Sequence, residues 1–534
     1  MADLEISTNK RETRRLAWWL LSAFFFFYLL CSGGHIYTPD GIIMFRLTRS
    51  MAKAGRLDIR PLETWPEFGG METIDPATGE KHFYSKYGIG ASLAAAPFYW
   101  IGEVLLPLSG QKERDVFDQN HWRKKYKTNN GTTRIVKLRN LFYDPRRENF
   151  DEAFLSFVTS WSNALLIAGT IVGLFMIATC LGYSVNAALA LALLAGLASP
   201  LWHYSKTFFS EPLACLAVVW SVYFTVAGAK VNAPRRAWIW AGMLLGVAVL
   251  TKISHIVLVL PAGILILAYA TRRPRREAFI RIALFGLAFA AVVGMIGVYN
   301  TIRFSTPMET GYGTEVNAWQ TPFWEGLSGL LFSSGRGLLV YCPLLILSVL
   351  AFPRFVRRQP ALGVFVALGM CVLTIFYARW HMWEGGWCRG PRFLLPIVPI
   401  LLLPLTEFLE SPPHHLAGRI AIITLIAVSF LVALSGVIVN YHDYCSWLRF
   451  EFELNPRRYY EMMRWNWSFA PVVRYWVFPI KDYFLLRHAL EFPGLVFGLF
   501  GVFLTGFLVS VVGLWRQWHR SITTVPAKKP SSEL

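Results

Sequence analysis

Two acids and a few cations stand at the ends of apolar runs, where neutral turn residues would have served. Asp40 lies in YTPDGIIMFR directly after the first run, and Glu211 lies in HYSKTFFSEPLA between two later ones. Lys206, Lys252, Arg303, Arg336, Arg389 and Arg392 hold comparable positions. The stretch RWHMWEGGWCRGPR, residues 379–392, gathers three arginines, His381, Glu384 and three tryptophans in one loop. A carboxylate within hydrogen-bond reach of a hydroxyl can take its proton. Fixed cations at low dielectric stabilise a departing anion, and aromatic walls with a few polar groups hold a small polar ligand. These residue types therefore suit group transfer from an anionic leaving group to a hydroxyl. Each also has a structural use. Asp40 in TPDG could cap a helix, and Lys252 could snorkel to the interface. Arg389 and Arg392 could pair with Glu384, and Trp380, Trp383 and Trp387 could form an interfacial belt.

The elements that position them are membrane spans. The chain is 54% hydrophobic and 16% charged, and apolar runs of about 17–25 residues, the span length for a bilayer, recur from residue 16 to residue 515. A soluble helix has no reason to be apolar all round. Spans are expected near 16–32, 153–181, 186–202, 212–229, 279–300, 338–352, 361–378, 393–409, 417–439 and 489–515. The run 238–270 is too long for one helix and is split by Thr-Lys-Ile-Ser, which predicts a helical hairpin with Lys252 at its tip. The first run follows the basic segment KRETRR and has no clear small-residue cleavage site after it, so it reads as an anchor.

Parity orients these spans. If 89–108 lies on the surface as an amphipathic or re-entrant segment, the basic clusters at 230–236, 272–276 and 354–358 all fall inside with both termini. That obeys the positive-inside rule and accounts for the net charge of +19 without nucleic acid. The expected fold class is an all-α polytopic membrane protein of about twelve transmembrane helices, with a long first external loop carrying juxtamembrane helices. Its expected parts are a tail 1–15, the first span 16–33, an external loop 34–152, a bundle 153–515 with external loops 301–337, 379–392 and 440–488, and a tail 516–534. The charged stretch 112–148 reads as a solvated insert. Of seven cysteines, Cys388 and Cys445 lie in loops and could pair in an oxidising compartment.

With these residues in order, the chain resembles the GT-C glycosyltransferases, polytopic enzymes that use polyprenyl-phosphate sugars and include protein O-mannosyltransferases, lipid A aminoarabinose transferases and mycobacterial arabinofuranosyltransferases. The resemblance rests on Asp40 early in a long first external loop, the juxtamembrane segment YSKYGIGASLAAAPFYWIG, Glu211 in YSKTFFSEP and the element GVAVLTKIS. It covers residues 16–300; the remainder matches only in layout. Where that group has His-Pro-Pro, this chain has Ser85-Lys86-Tyr87-Gly88.

The resemblance implies a GT-C-like fold and an inverting transfer of a monosaccharide, a pentose such as arabinofuranose or a hexose such as mannose. The donor would be a polyprenyl-phosphate sugar and the acceptor an extracytoplasmic glycan, lipid or protein. Asp40 would be the base and Glu211 a supporting acid for the acceptor or a metal. Lys252, Arg389, Arg392, Lys206 and Arg303 would hold the donor phosphate. His82, Tyr84, Lys86, Tyr87, His203, Glu309, Tyr312, Trp380, His381, Trp383 and Glu384 would line the sugar and acceptor pocket. No cofactor is required; Asp40 and Glu211 together could hold a divalent metal, but no motif calls for one. The implied place is the inner or plasma membrane of a prokaryotic cell, with the site outside the cytoplasm. The rival readings are a lipid-linked glycan transporter or flippase, and a glycan ligase or polymerase using a diphosphate lipid. No Walker loop or hydrolase triad is present, and no inverted repeat is visible.

Sidedness is open to a direct measurement. A cysteine introduced at Gly131 should react with an impermeant thiol reagent in intact cells, and one at Asn232 should not. Labelling at Asn232 would invert the topology and move the site to the cytoplasm.

Overall fold

The computed structural model describes residues 2–33, 36–62, 66–75, 78–112, 114, 123–127, 133–137, 150–451, 456–478, 485 and 494–523. Among them, nine segments are long and apolar enough to cross a membrane, judged by length and composition. They are Gly90–Leu108, Phe150–Cys180, Glu211–Gly228, Ile253–Ala270, Arg275–Phe304, Pro360–Ala378, Arg392–Glu410, Leu416–Ile438 and Leu495–Ser521. Val185–Leu197 and Arg236–Thr251 are apolar but shorter. Helices dominate because a chain in hydrocarbon must satisfy its own backbone polar groups.

Most of the expected spans correspond to helices, with informative departures: the 186–202 run breaks into Val185–Leu197 and Leu201–Ser205, and the 338–352 run into Leu338–Tyr341 and Leu344–Arg358. The first helix runs Ala2–Leu30, so the basic segment before the apolar run is helical too. The 393–409 run is not one α-helix. Pro396, Pro399 and Pro404 each remove an N–H, and the chain descends in short turns: Arg392–Ile397, Val398–Leu401, Leu403–Leu405 and Thr406–Glu410. The 238–270 run breaks where expected. Arg236–Thr251 ends at Lys252, which is extended (φ −156°, ψ 116°), and Val259–Ala270 resumes after a 3-10 turn. Gly90–Leu108, expected at the surface, is also long enough to span by composition; Trp100 and Val104 on it are exposed.

The first loop holds more than helices. After the Pro39–Ala54 helix, strands Gly70–Ile74 and Lys81–Ser85 pair antiparallel in a register that sets Gly70 opposite Ser85. A second antiparallel pair joins Arg123–Lys127 to Thr133–Lys137, inside the stretch read as a solvated insert.

Close backbone approach ties these layers to the bundle. Small residues let membrane helices pack at short range, and Gly242 and Gly246 lie against the Arg275–Phe304 helix, where a Cβ on Gly242 would stand 2.2 Å from the Phe285 carbonyl oxygen. That contact orients the helix ending at Lys252. On its far end sits the segment following the hairpin: a Cβ on Gly88 would meet the Leu250 carbonyl oxygen at 2.3 Å and that of Thr251 at 2.5 Å. The first and last helices close the bundle, with Ser22 and Ser510 hydroxyls 2.6 Å apart.

Gly88→Ala should therefore push the juxtamembrane segment off the Lys252 turn. Overpacking typically costs about 1–3 kcal/mol, and backbone neighbours cannot rotate away. The purified variant should melt several degrees lower; an unchanged melting temperature would mean that this approach is not tight.

Candidate active site

Asp40 is brought to the site by helix-start chemistry. Thr38 is the N-cap, its hydroxyl accepting from the Gly41 N–H at 3.1 Å, and Pro39 takes the first helical position. Asp40 is thus one position inside the helix, at its positive end, and is not the cap. Gly41 lets this helix start lie on the Phe208 carbonyl oxygen, 2.9 Å from where a Cβ would be. Glu211 opens the Glu211–Gly228 helix and is fully buried.

Arg392 joins the two acids. Its Nη1 donates to Asp40 Oδ2 at 2.6 Å, and its Nε donates to Glu211 Oε1 at 2.9 Å. Lys252 Nζ lies 3.4 Å from the same Glu211 Oε1. Glu211 Oε2 is buried and accepts no hydrogen bond. Two formal positive charges meet two negative ones, from four segments separated by up to 352 positions.

Aromatic rings wall the cluster. Lys252 Nζ is 4.0 Å from the Phe393 ring centroid and 5.5 Å from that of Tyr377; those two rings stack at 4.3 Å. Arg392 lies 4.0 Å from the Phe209 ring. Lys86 pairs with Glu315 at 2.8 Å and lies 5.2 Å from the Tyr312 ring.

Electrostatics follow from burial and pairing. Burial pushes the Asp40 carboxyl up, but the Arg392 guanidinium outweighs it, with help from the Tyr87 hydroxyl, and holds it below its ordinary value. Burial pushes the Lys252 ammonium down against the pull of Glu211, and raises the Tyr312 phenol to about 12. Asp40 is therefore an ionised carboxylate at neutral pH, held by a partner that an incoming anion could compete for.

The other candidate residues lie elsewhere. Arg389, three residues before Arg392, points away: its Nη2 donates to the Val432 carbonyl oxygen at 2.6 Å and to Ser435 Oγ at 2.8 Å. Lys206 donates to the Val437 carbonyl oxygen at 2.8 Å, and His203 Nδ1 is 2.7 Å from that of Gly436. All three thus meet the C-terminal end of the Leu416–Ile438 helix, where cations are favoured. Arg303 donates to the Ser85 carbonyl oxygen and to Asn300 Oδ1 and stacks on Tyr299, bracing the hairpin. His82 faces Asp58 at 3.6 Å and stacks on Tyr84. Glu309 accepts from the Gly311 N–H.

Trp380 packs on Trp319 and His381. Glu384 pairs with Arg464, which also lies 5.5 Å from the Trp383 ring; it does not pair with Arg389 or Arg392, the structural alternative left open by the sequence. Cys388 and Cys445 are free thiols and both buried. Among the described residues, no group of three or more His, Cys, Asp or Glu could hold a metal ion. The sequence reading missed Tyr377, Phe393 and Phe209, which sit within or beside apolar runs and carry no signal of their own.

An open groove of about 490 Å³ lies on the other side of the helix that carries Tyr377, lined by Trp319, Ile375, Phe376 and Arg379.

A buried ion cluster on a polytopic helical membrane scaffold defines the molecule structurally. No family model and no curated protein matches the sequence. Among solved structures, the chain is similar to ArnT from Cupriavidus metallidurans in the apo state, at 15% identity and TM-score 0.48 over 93% of this chain and 75% of that one. The form bound to undecaprenyl phosphate gives 14% and 0.44 over 98% and 78%. The archaeal oligosaccharyltransferase AglB from Archaeoglobus fulgidus, in complex with an inhibitory peptide and a dolichol-phosphate, gives 12% and 0.46 over 86% and 59%. At these identities and scores the likeness assigns no role to any residue.

Glu211 is the shared partner of both cations, so its loss leaves two buried charges underpaired. Breaking such a pair costs about 3–5 kcal/mol. Glu211→Gln should lower thermal stability more than Asp40→Asn, in which Arg392 keeps Glu211. The reverse order in thermal unfolding would show that Glu211 is not the hub.

Proposed function

We propose that the chain is an integral-membrane inverting glycosyltransferase. It takes a monosaccharide from a polyprenyl-phosphate donor and passes it to an acceptor hydroxyl at the extracytoplasmic face. The observation that carries this reading is the buried cluster in which Arg392 bridges Asp40 and Glu211 beside Lys252. It supplies the two groups such a reaction needs, a carboxylate base and fixed cations, within one aromatic-walled site.

The step balances as a single displacement. The acceptor oxygen attacks the anomeric carbon as Asp40 takes its proton. The bond from that carbon to the phosphate oxygen breaks, and the electron pair leaves with the lipid phosphate. Lys252 and Arg392 stabilise the charge that collects there. The donor phosphate draws Arg392 toward itself, and Asp40 gains basicity as its partner turns away. Glu211 Oε2, an acceptor without a partner, takes a hydrogen bond from a sugar hydroxyl. The isoprenoid chain lies in the groove bounded by Trp319, Ile375 and Phe376, one helix face away from Tyr377. The sugar is a pentose or a hexose, and the acceptor a glycan, lipid or protein.

Asp40→Asn keeps size and hydrogen bonding but removes basicity. General-base contributions are about 10²–10⁴-fold, so turnover of a polyprenyl-phosphate sugar by purified protein should fall in that range. Donor binding should persist. Near-normal release of lipid phosphate by folded Asp40→Asn would remove Asp40 from the reaction.

A further inference from the structure

Beside the ion cluster, a second group of buried polar atoms has no use in the proposed reaction. Arg336 and Arg389 are each 2% exposed, and neither forms an ion pair among the described residues. Arg336 donates to the carbonyl oxygens of Gly335 at 3.2 Å and Gly386 at 2.9 Å, and to Tyr441 Oη at 2.5 Å. Arg389 spends its Nη2 on the helix end described above. Glu384, in the same loop as Arg389, is taken by Arg464.

Three donors nonetheless remain unmatched: Arg336 Nε, Arg389 Nε and Tyr341 Oη. They share one neighbourhood. Arg389 lies 4.9 Å from the Tyr341 ring, both guanidiniums act electrostatically on the Tyr341 phenol, and Gly390, at φ +69°, lets the loop lie against that ring. Buried polar groups are nearly always satisfied, and buried charges nearly always paired. A helix C-terminus accounts for Arg389 Nη2 and for none of these three. What the three lack in common is an acceptor bearing negative charge.

We propose that Arg336, Arg389 and Tyr341 form a phosphate-binding site separate from the Lys252–Arg392 clamp. Guanidinium N–H groups and a phenol O–H match the oxygens of a tetrahedral phosphate. The ligand is a phosphate group, whether the headgroup of a prenyl lipid or free phosphate. The site stands whether or not the chain transfers sugars, because it is defined by binding alone.

The test is thermal protection of the purified full chain in detergent by inorganic phosphate, farnesyl phosphate and farnesol. Protection by either phosphate and not by farnesol is expected. Protection by farnesyl phosphate alone identifies a lipid headgroup, and protection by inorganic phosphate identifies free phosphate as sufficient. Tyr341→Phe removes only a hydroxyl without a partner, so the variant should be as stable as the parent without ligand. Its apparent phosphate affinity should fall about tenfold, the loss of one charge-assisted hydrogen bond, and Arg336→Gln should fall further. Lys252→Gln should keep the protection. The proposal is overturned if neither phosphate protects, if Tyr341→Phe binds phosphate as the parent does, or if Lys252→Gln alone abolishes protection. Should Arg336→Gln fail to fold, Tyr341→Phe decides.

Discussion

Arg392 cannot be removed from this structure without taking the guanidinium from Asp40 and leaving Glu211 to Lys252 alone. Taking a guanidinium and two carboxylates out of water costs several kcal/mol per ion, and only close pairing offsets it. The bridge from Asp40 to Glu211, at 2.6 and 2.9 Å, therefore makes three distant segments depend on one another. The start of the Pro39–Ala54 helix, the start of the Glu211–Gly228 helix and the loop after Pro360–Ala378 must meet, or charges lie unpaired beside lipid. Much of the local packing serves this meeting, from Gly41 against Phe208 to Gly88 against the Lys252 turn.

The loop that supplies Arg392 is also a divider. Gly385, Gly386 and Gly390 all take positive φ, a region in which a side chain would be strained. The kinks send Arg392 to the acids and Arg389 to the end of the Leu416–Ile438 helix. Cations only three positions apart thus serve different surroundings, one with carboxylates and one with carbonyl oxygens and phenols. Among the described residues the first is electrically balanced and the second is not, so the proposed anion would suit the second without any change in the first.

A balanced cluster has a chemical consequence. Asp40 and Arg392 hold each other in their charged forms, so neither is a free base nor a free cation at rest. In the proposed reaction, chemistry begins with an exchange of partners, in which the donor phosphate takes the guanidinium and the carboxylate is released. Lys252, held less closely at 3.4 Å and faced by the Phe393 and Tyr377 rings, is the cation most available to a ligand.

Much was legible in the sequence because the bilayer imposes a local, one-dimensional signal. Apolar run length and flanking charge marked the helices, and Thr-Lys-Ile-Ser marked the break at Lys252. Helix ends carrying Asp40, Glu211, Lys252 and Arg392 were recognisable as unusual, since charge beside an apolar run is costly unless it is used. Partners were not legible. Glu384 stood five and eight residues from Arg389 and Arg392 yet pairs with Arg464, while Arg392 finds Asp40 across 352 positions. The strands at 70–85 and the aromatic wall of Tyr377 and Phe393 were equally silent. Hydropathy reports how each segment meets lipid, and that is a property of the segment. Which charge meets which depends on helix rotation, on glycine-mediated close approach and on left-handed loop residues, and these are fixed only when all segments pack at once.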